Sequence, residues 1–537
     1  MKPRTVFSTL TLGTMFMSVN ASAKPVDLVL RLKERTPIEE LAKNVVDPSS
    51  ARYQEFYSPE EIRELSAPSE AEYQAFLDNL KSRGFEIVRE SDSRLMVTVR
   101  GEMSQVESTL STKFGAYFAE HPGVSAEIRL GGVSKPLSIP NDLSLIESVS
   151  GLDQSRKAHP HYHATPFAGK QSAQTVSQAD IKKNYGFNAI YTKGITGKGQ
   201  HIAIATYNGF HLDDVQGFFK QSKISPAPAV DVVNFNGTAT IDEDSAVETQ
   251  LDTEFSGMIA PGASIHVFTS AENSDAGELS MFTRILDDNR AKVVNYSWGT
   301  CETNVSKQHQ ADMDKVYARA VAQGVNIMVA SGDSGAAGCA GSSTKKVADW
   351  PASSPNVVAV GGTTYGVSSS GKMAETAWSG SSSATGGSGG GISTLYKLPA
   401  YQNNFQSPYT KRSMPDVAFN ANPATGENVW TSCTPNPMTG ACTHGTAHWM
   451  NIGGTSMAAP QWTGFLALVN ESRSKAKKSA IGFLNPIIYS LSSANRAKLF
   501  NDVTSGSNGY KAGSGWDAVT GWGSMQADGL LTYLTSN

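Results

Sequence analysis

The sequence predicts a doubly wound α/β domain built on a parallel sheet, preceded by a smaller α+β domain of ferredoxin-like order. Two observations carry this expectation. From about residue 166 short apolar runs alternate with helical stretches, and composition turns to Gly, Ser and Ala with fewer charges. Before that point, residues 24 to about 130 are charge-dense and run in the order βαββαβ.

Taken in order, Lys2 and Arg4 precede an apolar stretch that ends in Ala21-Ser22-Ala23. That arrangement fits a signal peptide cut after Ala23. The next segments are VDLVLRLK, TPIEELAKNV, EAEYQAFLDNLKSRG, the pair FEIVRE and RLMVTVRG, SQVESTLSTKF, and GAYFAEH as the last strand. The stretch SRKAHPHYHATPFAGKQSAQT is polar and aperiodic, and reads as an exposed linker open to proteolysis. His159, His161 and His163 within it read as solvated linker residues rather than metal ligands. The organisation expected is signal peptide 1–23, first domain with linker 24–165, and second domain 166–537.

In the second domain HIAIAT, SIHVFT, VVNYSW, NIMVASG and NVVAVGG are short β-rich runs of the kind buried in parallel sheets. Helices are expected around 245–259, 276–289 and 305–323, so that ligands would bind at the carboxyl ends of the strands. The run SGSSSATGGSGGG (379–391) reads either as a flexible linker or as a glycine-rich loop walling a cleft.

Size and charge narrow the class. With 537 residues, 39% hydrophobic residues and a formal net charge of −4, the chain is a globular protein with no electrostatic reason to seek nucleic acid or anionic membrane. After the N-terminal stretch no run approaches the ~20 apolar residues of a membrane span, so release without an anchor is expected, extracellular or periplasmic. Export suits disulfides. The short spacing of Cys433 and Cys442 suggests a stapled loop, leaving Cys301 with Cys339.

The candidate chemistry centres on GGTSMAAP (453–460), which resembles the serine loop of subtilisin-type proteases. Ser456 opens an apolar helix, with Pro460 expected in its first turn. The string His444-Gly445-Thr446-Ala447 imitates a subtilisin histidine motif, yet it lies twelve residues before the serine. The first strand ends in Thr206-Tyr207-Asn208 without an aspartate, so a Ser-His-Asp triad is rejected. The segment SAVETQLDTEFSGMIAPGA instead puts Glu248 and Asp252 at i, i+4 on one helical face, where buried carboxyls share a proton. A third acid, Asp333, follows the strand NIMVA between glycines; protonated, it can donate to a developing oxyanion.

These motifs, with VVNYSWG, VAVGGTTY, GGGISTLYKLPAYQ, RSMPDVAFNANPATG and VVDPSSARYQEFYSPEEI, resemble the sedolisin family of serine-carboxyl peptidases, as a pro-kumamolisin-like precursor. The resemblance covers nearly the whole secreted chain. It implies a subtilisin-like catalytic domain and a prosegment that inhibits it intramolecularly, with protein or peptide substrates and a monomeric state. It further implies Ser456 as nucleophile, Glu248 as general base and then acid, Asp252 as its tuning partner, and Asp333 as oxyanion stabiliser, working at acidic pH. Ser297, Trp298 and Gly299 are expected beside the substrate strand. One structural Ca2+ is implied, held by the carboxylates of Asp502 and Asp517 and the carbonyls of Val503, Gly513 and Gly515. Thr206 departs from the pattern, standing where some members carry a further glutamate.

Overall fold

The computed structural model describes residues 25–119, 127–164, 175–338, 345–380, 386–403, 409–436 and 441–537. The expected signal peptide and Cys339 lie outside them.

The prosegment forms an antiparallel sheet in the order Glu86–Glu90, Met96–Gly101, Val26–Leu32, Ile146–Ser150. Leu28, Leu30, Val97 and Val99 alternate along their strands and meet Tyr73, Leu77 and Leu80 of the helix Glu70–Ser82, which is closed by a Ser69/Glu72 capping box. The ferredoxin-like order holds, with one correction. The strand Lys113–Ala119, expected to finish the sheet, pairs among the described residues with Glu127–Lys135 in a separate two-stranded sheet. The fourth place goes to Ile146–Ser150, whose Ile146 and Val149 are buried in the prosegment core.

The sheet of the second domain runs Ala229–Phe235, Ser264–Ser270, His201–Thr206, Val293–Tyr296, Asn326–Ala330, Val358–Thr364, all parallel, with Val417–Asn420 added in parallel and Thr376–Ala377 antiparallel. Alternate residues serve opposite layers. Ile202 and Ile204 pack with Leu251 and Phe255 of the helix Glu243–Ile259 and with Trp462 and Phe465 of the helix Thr455–Lys475. Ala203 and Ala205 face Leu279 and Phe282 of Asp275–Asp288 and Met313 and Tyr317 of Lys307–Ala322. Burial on both faces explains why these strands read as near-continuous apolar runs.

The prosegment docks on the second of these helix layers. Ile38, Leu41 and Val45 join the core beside Ala318 and Val321. Arg31 Nε and Ser148 Oγ donate to buried Asp312 at 2.8 and 2.6 Å, and Lys315 reaches Glu34 and Glu39 at 3.1 and 2.6 Å. Arg156 forms ion pairs with Asp275 and, at 2.6 Å, with Glu278, which His309 Nε2 also meets at 3.0 Å. Among the described residues no helix is long and apolar enough to cross a membrane.

Candidate active site

Three segments bring the expected acids and serine together. Buried residues run without a break from Ala246 to Ile259 on the helix Glu243–Ile259, so Glu248 and Asp252 are fully buried on a packed helix. The strand Val293–Tyr296 leads into Ser297, whose hydroxyl donates to Asp252 Oδ1 at 2.7 Å. Asn295 Nδ2 donates to that same hydroxyl at 3.0 Å, and Thr463 of the serine helix holds Asn295 Oδ1 at 3.2 Å.

Neither oxygen of Glu248 nor Oδ2 of Asp252 closes a hydrogen bond within the described residues. Burial pushes the Glu248 carboxyl well up, and the neighbouring Asp252 adds to this while the Ser456 hydroxyl opposes it. Burial also raises Asp252 well above the carboxylate range, against the hydrogen bonds of Ser297 and Asn295. Two neighbouring buried acids so raised resist ionising together.

Asp333 follows the strand Asn326–Ala330 on the loop that begins Ser331-Gly332, as expected. Its Oδ1 accepts from the Thr455 N–H and hydroxyl, both at 2.8 Å, which fixes the start of the serine helix. Residues 381–385 of the glycine-rich run lie outside the described residues, and its later part, from 386, is a wall here: Gly387 N donates to Asp333 O at 2.9 Å and Gly389 N to Gly332 O at 2.6 Å. A Cβ on Gly389 would stand 2.0 Å from Ser331 O, so no larger residue fits. Pro460 differs from expectation. It is the sixth residue of the helix, so its ring leaves the Ser456 carbonyl without an i+4 donor.

The linker supplies what sequence reasoning missed. It is not an exposed tether over the described residues: Ala158 is buried, and His161 and Tyr162 are half-buried in the cleft. His159–Pro160 pairs antiparallel with Trp298–Gly299, and His163–Ala164 with Ile452–Gly453. Between these pairings the Ser456 N–H donates to the His161 carbonyl at 3.0 Å. A Cβ on Gly454 would sit 2.4 Å from that carbonyl oxygen and 2.7 Å from Asp333 Oδ2, so both line the same face of a glycine with φ of +123°. The advance signal was the alternation of His159, His161 and His163, and it points to no strand partner by itself.

Comparison with known proteins decides the lineage. A family model described as the pro-kumamolisin activation domain matches residues 18–155, and the subtilase family model matches residues 236–523. Sedolisin of Pseudomonas sp. (strain 101) is 31% identical across 95% of this chain and 86% of its own length. Kumamolisin of Bacillus sp. (strain MN-32) is 34% identical across 77% and 74%. The chain belongs to the sedolisin family of serine-carboxyl peptidases. The solved structure of Pseudomonas sedolisin, complexed with two molecules of pseudo-iodotyrostatin, superposes with TM-score 0.59 at 30% identity, covering 68% of this chain and 99% of that one. This sedolisin-family chain is thus a serine-type peptidase with an activation domain ahead of its subtilisin-like domain.

The remaining expected residues sort as follows. Trp298 and Gly299 border the linker strand through their backbone, while the Trp298 ring is buried against Tyr207. Thr206 bonds Thr249, next to Glu248, hydroxyl to hydroxyl at 2.8 Å. Cys433 and Cys442 are disulfide-bonded, as is Cys301. His444 sits opposite Cys433 and contacts Ser432, Glu243 and His211 rather than the serine.

Of the residues expected to hold calcium, Asp502, Asp517, Gly513 and Gly515 meet in pairs at the C-terminal turns, while the Val503 side chain joins a small apolar cluster with Val519. Gly515 N donates to Asp502 Oδ2 and Gly513 N to Asp517 Oδ2, each at 2.9 Å. Burial lifts the Asp517 carboxyl to about 6 despite hydrogen bonds from Gly513, Thr520 and Val519, and no Lys, Arg or His of the described residues pairs with either aspartate. Two carboxylates flanked by open backbone turns at Gly513 and Gly515 form an oxygen-only donor set, which fits a hard cation.

Proposed function

We propose that the chain is the self-processing zymogen of a secreted, acid-acting serine-carboxyl peptidase, and that His161–Tyr162 is the first peptide bond it cuts. The observation that carries this reading is the linker strand paired on both sides of the cleft, with the His161 carbonyl on the Ser456 N–H.

In this reading Ser456 Oγ attacks the His161 carbonyl carbon and passes its proton to Glu248. Negative charge gathers on the carbonyl oxygen, which the Ser456 N–H and protonated Asp333 stabilise. Glu248 then protonates the departing Tyr162 amine, leaving an acyl-enzyme at His161. Water deprotonated by Glu248 releases the His161 carboxylate and restores Ser456. Asp252, anchored by Ser297, keeps Glu248 oriented and shares its proton. Asp333 must stay neutral to donate, which confines turnover to acid. Beyond processing, the same groups act on peptide substrates laid along Ser297, Trp298 and Gly299. Asp502 and Asp517, with the carbonyls of Val503, Gly513 and Gly515, would hold a structural Ca2+ that stiffens the C-terminal turns. Export rests on the N-terminal sequence to Ala23.

Acidifying the precursor and its Ser456→Ala form, followed by intact mass spectrometry, tests the reading. The expected product begins at Tyr162 and arises from the parent alone. Equal cleavage in Ser456→Ala, or a first cut elsewhere, overturns it.

A further inference from the structure

Away from the catalytic cleft, three side chains that peptide hydrolysis does not use converge from separate elements. His211 is the N-cap residue of the helix Leu212–Gln221, Glu243 opens the helix that carries Glu248, and His444 lies on the strand Cys442–Gly453. One donor atom from each lies within 4.8 Å of the other two. His211 Nε2 stands 3.1 and 3.2 Å from the two Glu243 oxygens, His444 Nδ1 stands 3.9 Å from Glu243 Oε2, and the imidazole centroids are 4.2 Å apart.

We propose that His211, Glu243 and His444 form a binding site for one divalent transition-metal ion of the zinc class. The donor set favours that class: two imidazoles and one carboxylate suit zinc, whereas calcium and magnesium prefer oxygen alone. The spacing fits as well. Tetrahedral Zn–N and Zn–O bonds of about 2.0–2.1 Å set donors about 3.3 Å apart, and small rotations of His444 close the longer gap. Access is open, because the His444 side chain is 56% exposed while His211 and Glu243 are each 24% exposed.

The position gives the ion a mechanical role. The His444 strand belongs to the hairpin stapled by Cys433–Cys442, whose Ser432 hydroxyl donates to Asp214 at 2.7 Å and lies 3.1 Å from His444 Nδ1. Glu243 lies five residues before Glu248, about 7.5 Å along the helix axis. The intervening Asp244 accepts the Tyr162 hydroxyl through its carbonyl. An ion here ties the hairpin to the helix end that borders Tyr162. It also gives the His444-Gly445-Thr446-Ala447 string a role other than that of a catalytic base.

The full-length Ser456→Ala precursor, at neutral pH with excess Ca2+, is titrated with ZnCl2 by calorimetry. The expected result is saturation at one ion per chain, with affinity lowered by more than about tenfold, the loss that even outer-shell changes cause, in His211→Ala and in His444→Ala. His448→Ala, which alters a half-buried histidine on the same strand outside the cluster, should bind as the parent does. In the unsubstituted site, Co2+ should give the intense visible absorption of a tetrahedral centre, a readout that needs no variant to fold. Absence of saturable binding or of that absorption in the parent overturns the proposal, as does zinc binding that survives both histidine substitutions in folded protein.

Discussion

The His161 carbonyl accepts from the Ser456 N–H at 3.0 Å, so a bond of the chain's own linker lies where a peptide substrate is expected. Gly454 makes that contact possible. Gly454→Ala would place a methyl 2.4 Å from the His161 oxygen and 2.7 Å from Asp333 Oδ2. Self-cleavage should slow by about 100-fold or more, the scale of losing one oxyanion donor, while circular dichroism stays that of the parent. Processing at the parental rate would contradict the proposed geometry.

Glu248→Gln and Asp252→Asn should each lower turnover by about 10²–10⁴-fold, the range for positioned acid–base groups. Their effect on stability separates them from ordinary core substitutions. Both carboxyls are raised by burial. The folded chain therefore binds more protons than the unfolded one above the ordinary carboxylate range, and stability falls as pH rises from there. Thermal melts in the Ser456→Ala background should show Glu248→Gln gaining on its parent between pH 4 and pH 7. A constant offset across that window would refute the assignment.

Arg156 links the prosegment to two acids of the catalytic domain. Burial alone would raise Glu278, but the Arg156 guanidinium and His309 overcome it and hold the carboxyl below its usual value. A depressed carboxyl contributes docking energy above the ordinary carboxylate range and loses it as pH falls through the lowered value. Arg156→Ala leaves Glu278 buried without its cation, a loss of about 3–5 kcal/mol for comparable buried pairs. The pH at which half the precursor is processed within a fixed time should move upward. No movement would show that the contact does not restrain activation.

Calcium should stabilise the chain through Asp502 and Asp517. At a hundredfold excess over its Kd the ion contributes about 2.7 kcal/mol, read as a rise in Tm that EGTA reverses. Asp517→Asn should abolish the rise. A Ca2+ response retained in that variant would move the site elsewhere.

The legible part of this molecule was the part governed by local pattern. Apolar runs bounded by helices gave the parallel sheet, and i, i+4 spacing put Glu248 and Asp252 on one face. What stayed hidden depends on pairing between distant segments. Nothing local distinguishes GAYFAEH from the strand Ile146–Ser150 as the last member of the prosegment sheet, because both are short and neither shows a clean period-two alternation. The linker looked solvated because its backbone partners, Trp298–Gly299 and Ile452–Gly453, come from far along the chain. Asn295 and Thr455, which hold Ser297 and Asp333, are polar residues whose partners only the folded chain reveals.

If His161–Tyr162 is cut as proposed, threading the linker through the cleft in cis sets the kinetic order of maturation. Scissile bond and nucleophile share one polypeptide, so their effective molarity is independent of how dilute the zymogen becomes. On the proposed mechanism its first scission is a unimolecular clock started by acid, and any later cut between molecules is the one that slows on dilution.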